Sequence, residues 1–191
     1  MSVAMEDWPR RHRITVEDFH RMAEAGVLAP DARVELIEGE IIDMPPIGSR
    51  HSGTVSLLSE LLHDAVAKRA IVSCQLSLRL GDLNELQPDF ALLVRRGDFY
   101  ASQIPVAADA LLVIEVSDST LRYDLQTKMS LYARHGIPEL WVVDVEGKRL
   151  HVFRNPAGAA YSEVVALEKP GVLPISALPA TIVDLSSLFS H

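Results

Sequence analysis

Apolar residues recur at two different spacings along this chain. Returns every three or four positions predict amphipathic helices, and short runs rich in β-branched residues predict strands. The predicted helices cover 16–25, 51–68 and 124–135, with a last short helix from Asp184. The predicted strands cover 71–80, 89–94, 111–117, 139–145, 149–153 and 161–167. This order predicts an α/β fold in which helices flank a mixed central β-sheet.

A β-hairpin is predicted over residues 33–44, ahead of the long second helix. Its two-residue turn would be Glu38-Gly39, since a glycine there tolerates the backbone that tight turns need. Counting outward from this turn fixes the register, and facing side chains then lie on one side of the hairpin. The side chains that would share a face are Glu35, Ile37, Glu40 and Ile42.

Two carboxylates interrupt the most apolar strands. Glu115 lies inside the run 110–116, and Asp89 stands at the head of another apolar run. Asp89 could merely end a turn, and Glu115 could be a buried acid paired with an arginine or a helix N-terminus. A buried carboxylate is costly unless it is paired or binds a metal. If the two strands are neighbours, Asp89 and Glu115 together favour a site for a hard cation such as Mg²⁺.

Three further side chains are candidates for the same site. Lys128 would be a surface residue by default, but its helix begins just after the Glu115 strand and should pack back over the sheet. Its ammonium could then reach the carboxylates and stabilise developing negative charge. Glu35 or Glu40 could add another acid, with Glu40 preferred to Glu35, or both could simply lie on an exposed face of the hairpin. His51, at a helix start, could be a neighbour of the N-terminal cap or an active-site base.

Length and composition set outer limits on the function. The chain has 191 residues, which predicts an extension over 1–14 and one domain over 15–191. A net charge of −8 argues against a broad, non-specific nucleic-acid binder. No apolar run approaches the roughly 18 residues that span a bilayer. The single cysteine, Cys74, excludes an internal disulfide and suits a reducing compartment, so a cytoplasmic protein without membrane contact is expected.

Several motifs in one order give the chain a family resemblance. They are the segment 33–41, His51, Pro88-Asp89, the segment 115–120, Tyr123-Asp124, Lys128, 131–133 and the segment 136–144. This string resembles the Uma-two family of predicted restriction endonucleases, placed in the PD-(D/E)XK phosphodiesterase superfamily. The resemblance covers about 15–189. It implies a restriction-endonuclease-like core, with a mixed sheet flanked by helices, and a Mg²⁺-dependent site that cuts phosphodiesters.

The resemblance also assigns roles to residues. Pro88-Asp89 matches the "PD" element and Glu115 matches the (D/E) position. The usual superfamily lysine would stand at position 117, where this chain has Ser117. The family lysine has moved to the following helix, where Lys128 corresponds to it.

Two functions of different classes follow. The first is an endonuclease acting on DNA, in which Asp89, Glu115 and the Val116 carbonyl hold Mg²⁺ or Mn²⁺ and Lys128 assists. The second is a catalytically inactive nuclease-fold protein that binds nucleic acid or a protein partner, as the acidic charge would suit. A homodimer is a further expectation, by analogy with enzymes that cut both strands of a duplex.

Overall fold

The computed structural model describes residues 11–190, so most of the predicted extension 1–14 lies outside the described residues. The helices are α1 (Val16–Glu24), α2 (Ser49–Val66), α3 (Leu121–Tyr123) and α4 (Met129–Arg134), with a 3₁₀ turn at Ala107–Asp109 and a π-helical turn at Asp124–Lys128. The strands are β1 (Val34–Ile37), β2 (Glu40–Asp43), β3 (Ile71–Cys74), β4 (Leu78–Arg79), β5 (Glu85–Leu86), β6 (Phe90–Leu93), β7 (Ala110–Ser117), β8 (Glu139–Asp144), β9 (Arg149–Ala157), β10 (Ala160–Leu167), β11 (Val172–Pro174) and β12 (Ile182–Asp184). Within 11–190, no helix combines the length and apolar character needed to cross a membrane.

A six-stranded mixed sheet forms the centre of the fold. Its strand order is β10-β9-β8-β7-β6-β3, and β7 and β8 are parallel whereas the other neighbours are antiparallel. A four-stranded sheet, β2-β1-β5-β4, and a small β11-β12 pair lie beside it. The predicted fold class, a mixed central sheet with flanking helices, is confirmed.

Alternate residues of β6 and β7 face two different cores. One face packs against α2, through Leu58 and Leu62, and against the β11–β12 region. The other face packs against the α3–α4 segment, through Leu131 and Tyr132, and against the four-stranded sheet. Val113 belongs to this second core, so Glu115, two positions later, is directed to the same side.

The N-terminal part of the chain follows its local signals closely. Thr15 and Asp18 form a capping box at the start of α1. The hairpin pairs Ile37 with Glu40 and Glu35 with Ile42, which confirms the predicted register. Glu38 and Gly39 both have positive φ angles, 51° and 77°, the geometry of a tight hairpin turn.

Two predicted elements are wrong. The single strand expected over 71–80 is divided between β3 in the central sheet and β4 in the four-stranded sheet. Gln75 lies at the break with a φ of 51°, so the chain leaves one sheet there and enters the other. After β12 the chain forms turns instead of the helix expected from Asp184, and the Leu185 N–H donates to the Gly171 carbonyl.

Candidate active site

Asp89 and Glu115 lie side by side at one end of β6 and β7. Phe90 faces Ile114 in the antiparallel ladder, so the preceding Asp89 comes opposite Glu115, with both side chains on one face. The Val116 N–H donates to Asp89 Oδ2 at 2.8 Å. Both acids are buried, with exposures of 8% for Asp89 and 4% for Glu115. The structure therefore brings the two predicted acids together.

Asp89 is held by side chains from two other elements. Gln75 Nε2 donates to Asp89 Oδ1 at 3.0 Å, and His51 Nε2, from the first turn of α2, lies 3.1 Å from the same oxygen. The hydrogen bond with Asp89 raises the pKa of His51, although burial opposes this. Because His51 and Gln75 both contact Asp89 Oδ1, they are placed to orient this carboxylate.

A buried lysine joins two glutamates on the other side of Glu115. Lys128 Nζ lies 3.1 Å from Glu115 Oε1 and 2.9 Å from Glu35 Oε1. The Tyr132 hydroxyl donates to Glu115 Oε1 at 2.6 Å, and the Gln87 N–H donates to Glu35 Oε1 at 2.9 Å. One positive charge thus serves two acids inside the protein.

Burial dominates the electrostatics of this cluster. It raises the pKa of Glu115 to about 8, against the opposing attraction of Lys128. Burial alone would lower the pKa of Lys128, but the charges of Glu115, Glu35 and Asp124 more than offset it, so the net shift is upward. Lys128 therefore remains an ammonium, and Glu115 carries a proton more readily than an exposed glutamate.

The π-helical turn decides where Lys128 points. Met129 N–H donates to the Asp124 carbonyl, five positions back, which widens the helix at this point. A regular helical period would place Lys128 at the border of an inward apolar stripe that includes Leu125. Instead Asp124 and Lys128 are themselves buried, whereas Leu125 and Met129 are only half-buried. Asp124 is in turn held by the Ser117 hydroxyl at 2.7 Å.

Of the two hairpin acids, the structure places Glu35 at the site and Glu40 outside it. Glu40 is exposed and pairs with Arg11 at 3.1 Å. Both acids lie on one face of the hairpin, but Glu40 sits on the edge strand beside the turn. The pair that contains Glu40 lies about 7 Å further along the hairpin than the pair that contains Glu35, so only Glu35 reaches Lys128. The preference for Glu40 over Glu35 is thereby corrected.

Several contacts of the site carry no sequence signal. Gln75 belongs to the break between two strands, and Gln87 contributes only its backbone N–H. In the sequence Tyr132 is indistinguishable from an ordinary aromatic residue of the core, yet its hydroxyl donates to Glu115. The sequence contains one indication of this role. Tyr132 lies one helical turn after Lys128, and the hydroxyl of a buried tyrosine usually has a hydrogen-bond partner.

The cluster lies at the base of a cleft of about 260 Å³. One wall is the loop between β2 and α2, residues 44–48, and the other is formed by residues 118–120 and Tyr123. The cleft is strongly acidic, since its lining includes six carboxyl side chains against two permanent cations, Arg33 and Lys128. The six are Glu35, Asp43, Asp89, Glu115, Asp118 and Asp124. Such a cleft attracts cations and repels a polyanion that comes without them.

Residues 16–186 match the model of the Uma2 family, which is described as "Putative restriction endonuclease". The chain belongs to the Uma2 family. None of the curated proteins matches this chain. Among solved structures, this Uma2 chain is similar to a crystal structure of a "putative nuclease belonging to DUF820" from Anabaena variabilis ATCC 29413. The TM-score is 0.72 at 21% identity, over 93% of this chain and 98% of the other. At this identity the likeness shows a shared fold.

Proposed function

We propose that this Uma2 protein is an endonuclease that hydrolyses phosphodiester bonds of DNA with the help of Mg²⁺ or Mn²⁺. The observation that carries the proposal is the convergence of Asp89, Glu115 and Lys128 at the base of one cleft. Two adjacent acids beside a buried ammonium are an arrangement that supports metal-assisted phosphoryl transfer. Family membership supports the same reaction class.

The oxygen atoms at this end of the sheet fit a hard divalent cation. Glu115 Oε1 is taken by Lys128 and Tyr132, whereas Oε2 has no hydrogen bond from any described residue. Ser117 turns its carbonyl toward the β8 side, where Val145 N–H binds it. Because successive carbonyls of a strand alternate in direction, the Val116 carbonyl faces the Asp89 side. Asp89, Glu115 and Val116 would therefore hold the ion.

This donor set favours Mg²⁺ or Mn²⁺ over zinc. Within 11–190, no three side chains of His, Cys, Asp or Glu type are grouped so as to hold a metal. Zinc sites normally need three or four such ligands. Mg²⁺ is content with one or two carboxylates, and water and phosphate oxygens complete its coordination.

The protein groups have separable tasks in the proposed hydrolysis. A divalent cation held by Asp89 and Glu115 would supply Lewis-acid polarisation of the phosphoryl group. Water adds to phosphorus and releases a proton to the solvent, while one ester P–O bond breaks and its leaving oxygen takes up a proton, and negative charge grows on the phosphoryl oxygens on the way. Lys128 keeps its proton and is placed to offset that charge from the protein side. His51 and Gln75 hold Asp89 in position, and Tyr132 and Lys128 do the same for Glu115.

A second candidate is a catalytically inactive protein that keeps this fold for binding nucleic acid or a protein partner. The net charge of −8 favours its protein-binding form, because an acidic protein repels free nucleic acid. A site that has lost its catalytic activity, however, does not need three buried ionisable groups, because burying them costs desolvation free energy.

The deciding experiment is cleavage of supercoiled plasmid and labelled oligonucleotides by the pure protein in Mg²⁺, Mn²⁺ or EDTA. The nuclease reading expects cutting with either ion and none in EDTA or in Glu115→Gln. Isothermal calorimetry of the same preparation separates the two candidates. Absence of both ion uptake and cutting would favour the inactive binding protein.

A further inference from the structure

The two central acids lie at the base of the cleft and are reached through it. Asp89 and Glu115 are almost fully buried, and the cleft above them holds about 260 Å³. At roughly 30 Å³ per water, this is the space of about nine waters, which suits about one nucleotide. The loop 44–48 stands on one side, and its Ile47 is exposed.

A stiff paired duplex has less freedom than a single strand to bring one phosphate down to the base of this cleft. For a phosphate to join a cation held by Asp89 and Glu115, its oxygen must come within about 2.1 Å of the ion. B-DNA is a stiff rod, with a persistence length of about 50 nm and a major groove alone about 12 Å wide. An unpaired strand can instead lower a single nucleotide between the walls.

Beside the cleft, a shallow depression of about 360 Å³ continues the path along the surface. The two cavities share Ser119, Thr120 and Tyr123, and the depression adds Arg122, Gln126 and Thr127. Tyr123 is half-buried at their junction and is the only Phe, Tyr or Trp lining either cavity in the described chain. Proteins that bind single strands combine such an aromatic ring with nearby cations for the backbone.

We propose that the substrate is an unpaired DNA strand, bound with one nucleotide in the cleft, a base stacked on Tyr123, and the neighbouring phosphate near Arg122. For the cutting step this rests on the proposed nuclease function, but strand selection is a property of binding. It makes frayed ends, flaps and bubbles the preferred targets, and fully paired DNA a poor one.

The test is fluorescence anisotropy with a labelled 20-nucleotide DNA, single-stranded or paired with its complement, in Ca²⁺. The single strand is expected to bind at least ten-fold more tightly. Tyr123→Leu should weaken single-strand binding roughly 5- to 150-fold, the range for one lost base stack. Tyr123→Phe keeps the ring and should restore binding. Phe99→Leu removes an aromatic that is 61% exposed and lines neither cavity, so it should change nothing.

The outcomes decide the proposal in either direction. Equal or tighter binding of the duplex overturns it, as does lack of binding to any DNA or an unaffected Tyr123→Leu. The same DNAs are then incubated with Mn²⁺. A strand that binds preferentially but is never cut upholds strand selection and refutes the nuclease function. Cutting of paired DNA at the rate of the single strand upholds the nuclease and refutes the selection.

Discussion

Lys128 Nζ lies 2.9 Å from Glu35 Oε1, although 93 positions separate the two residues in the chain. Glu35 belongs to the four-stranded sheet, whereas Glu115, the other partner of Lys128, belongs to the six-stranded sheet. One buried ammonium thus joins both sheets at the floor of the cleft. Because a buried charge is costly without its partners, the two glutamates and the lysine depend on one another.

Replacing Lys128 by methionine should lower turnover by ~10²-fold or more, the scale for loss of one electrostatic stabiliser. Methionine keeps much of the aliphatic stem but removes the charge. Mg²⁺ affinity should stay nearly normal, since a protonated lysine cannot ligate the ion. Single-turnover cleavage and calorimetry measure the two quantities separately.

The matched control for this substitution is Lys68→Met, on an exposed residue after α2. It should cleave like the parent protein. Full turnover by Lys128→Met, in a preparation where Glu115→Gln is inactive, would show that Lys128 has no part in the chemistry.

The two hairpin glutamates should differ sharply in their effect on activity. Glu35→Gln keeps an acceptor for Lys128 and Gln87 but removes the charge that holds the ammonium, so turnover should fall at least ~10-fold. Glu40→Gln changes only an exposed pair with Arg11 and should leave turnover unchanged. Steady-state kinetics of the two variants test this, and equal effects would contradict the placement of the site.

Asp89 should respond differently to asparagine and to alanine. Both substitutions should abolish metal-dependent cleavage, because the carboxylate is lost. Asp89→Ala also leaves Gln75 Nε2 and the Val116 N–H without their acceptor, which should cost about 1–3 kcal/mol of unfolding free energy. Asp89→Asn retains an acceptor oxygen and should unfold closer to the parent. Urea titrations compare them, and an active Asp89→Asn would remove Asp89 from the mechanism.

Glu115 should make the metal-free protein less stable as pH rises. Burial raises its pKa in the folded protein from 4.5 to about 8. Between these values the folded state binds more protons than the unfolded state, so the unfolding free energy falls with rising pH. Below about pH 4.5 the penalty is absent, and above about pH 8 it is complete.

Glu115→Gln isolates this contribution, since glutamine does not ionise. The stability difference between parent and variant should change across pH 5–8 and level off above it. Asp124 and His51 also have raised pKa values and add slopes of the same sign, but they are common to both proteins. A pH-independent difference would show that Glu115 is ionised throughout.

The sequence predicted those features that depend on interactions between residues close together in the chain. The capping box at Thr15 joins residues only three positions apart, and the predicted register of the Glu35 hairpin follows from its turn and is confirmed. The meeting of Asp89 and Glu115 could be anticipated because each stands in or beside an apolar strand, and such strands tend to be neighbours.

The remainder depends on packing that no local pattern contains. The break at Gln75 moves the chain between sheets, and only the assembled fold shows that its amide then reaches Asp89. The π-helical turn buries Lys128 beside Asp124, where a regular helical period would have left it at the border of the apolar stripe. Which of Glu35 and Glu40 reaches the site likewise depends on how the four-stranded sheet, which contains both, packs against the six-stranded sheet.

The long separation between Glu35 and Lys128 has a consequence for the order of synthesis. A ribosome makes the hairpin glutamate before Glu115, and the lysine and the parallel strand β8 that secures β7 come after both. A nascent or prematurely ended polypeptide that has passed Glu115 but not Lys128 therefore contains both glutamates yet lacks the ammonium that pairs with them. The pairing of β7 with β8 is complete only when translation has passed residue 144, so the fold itself delays the assembly of the cleft.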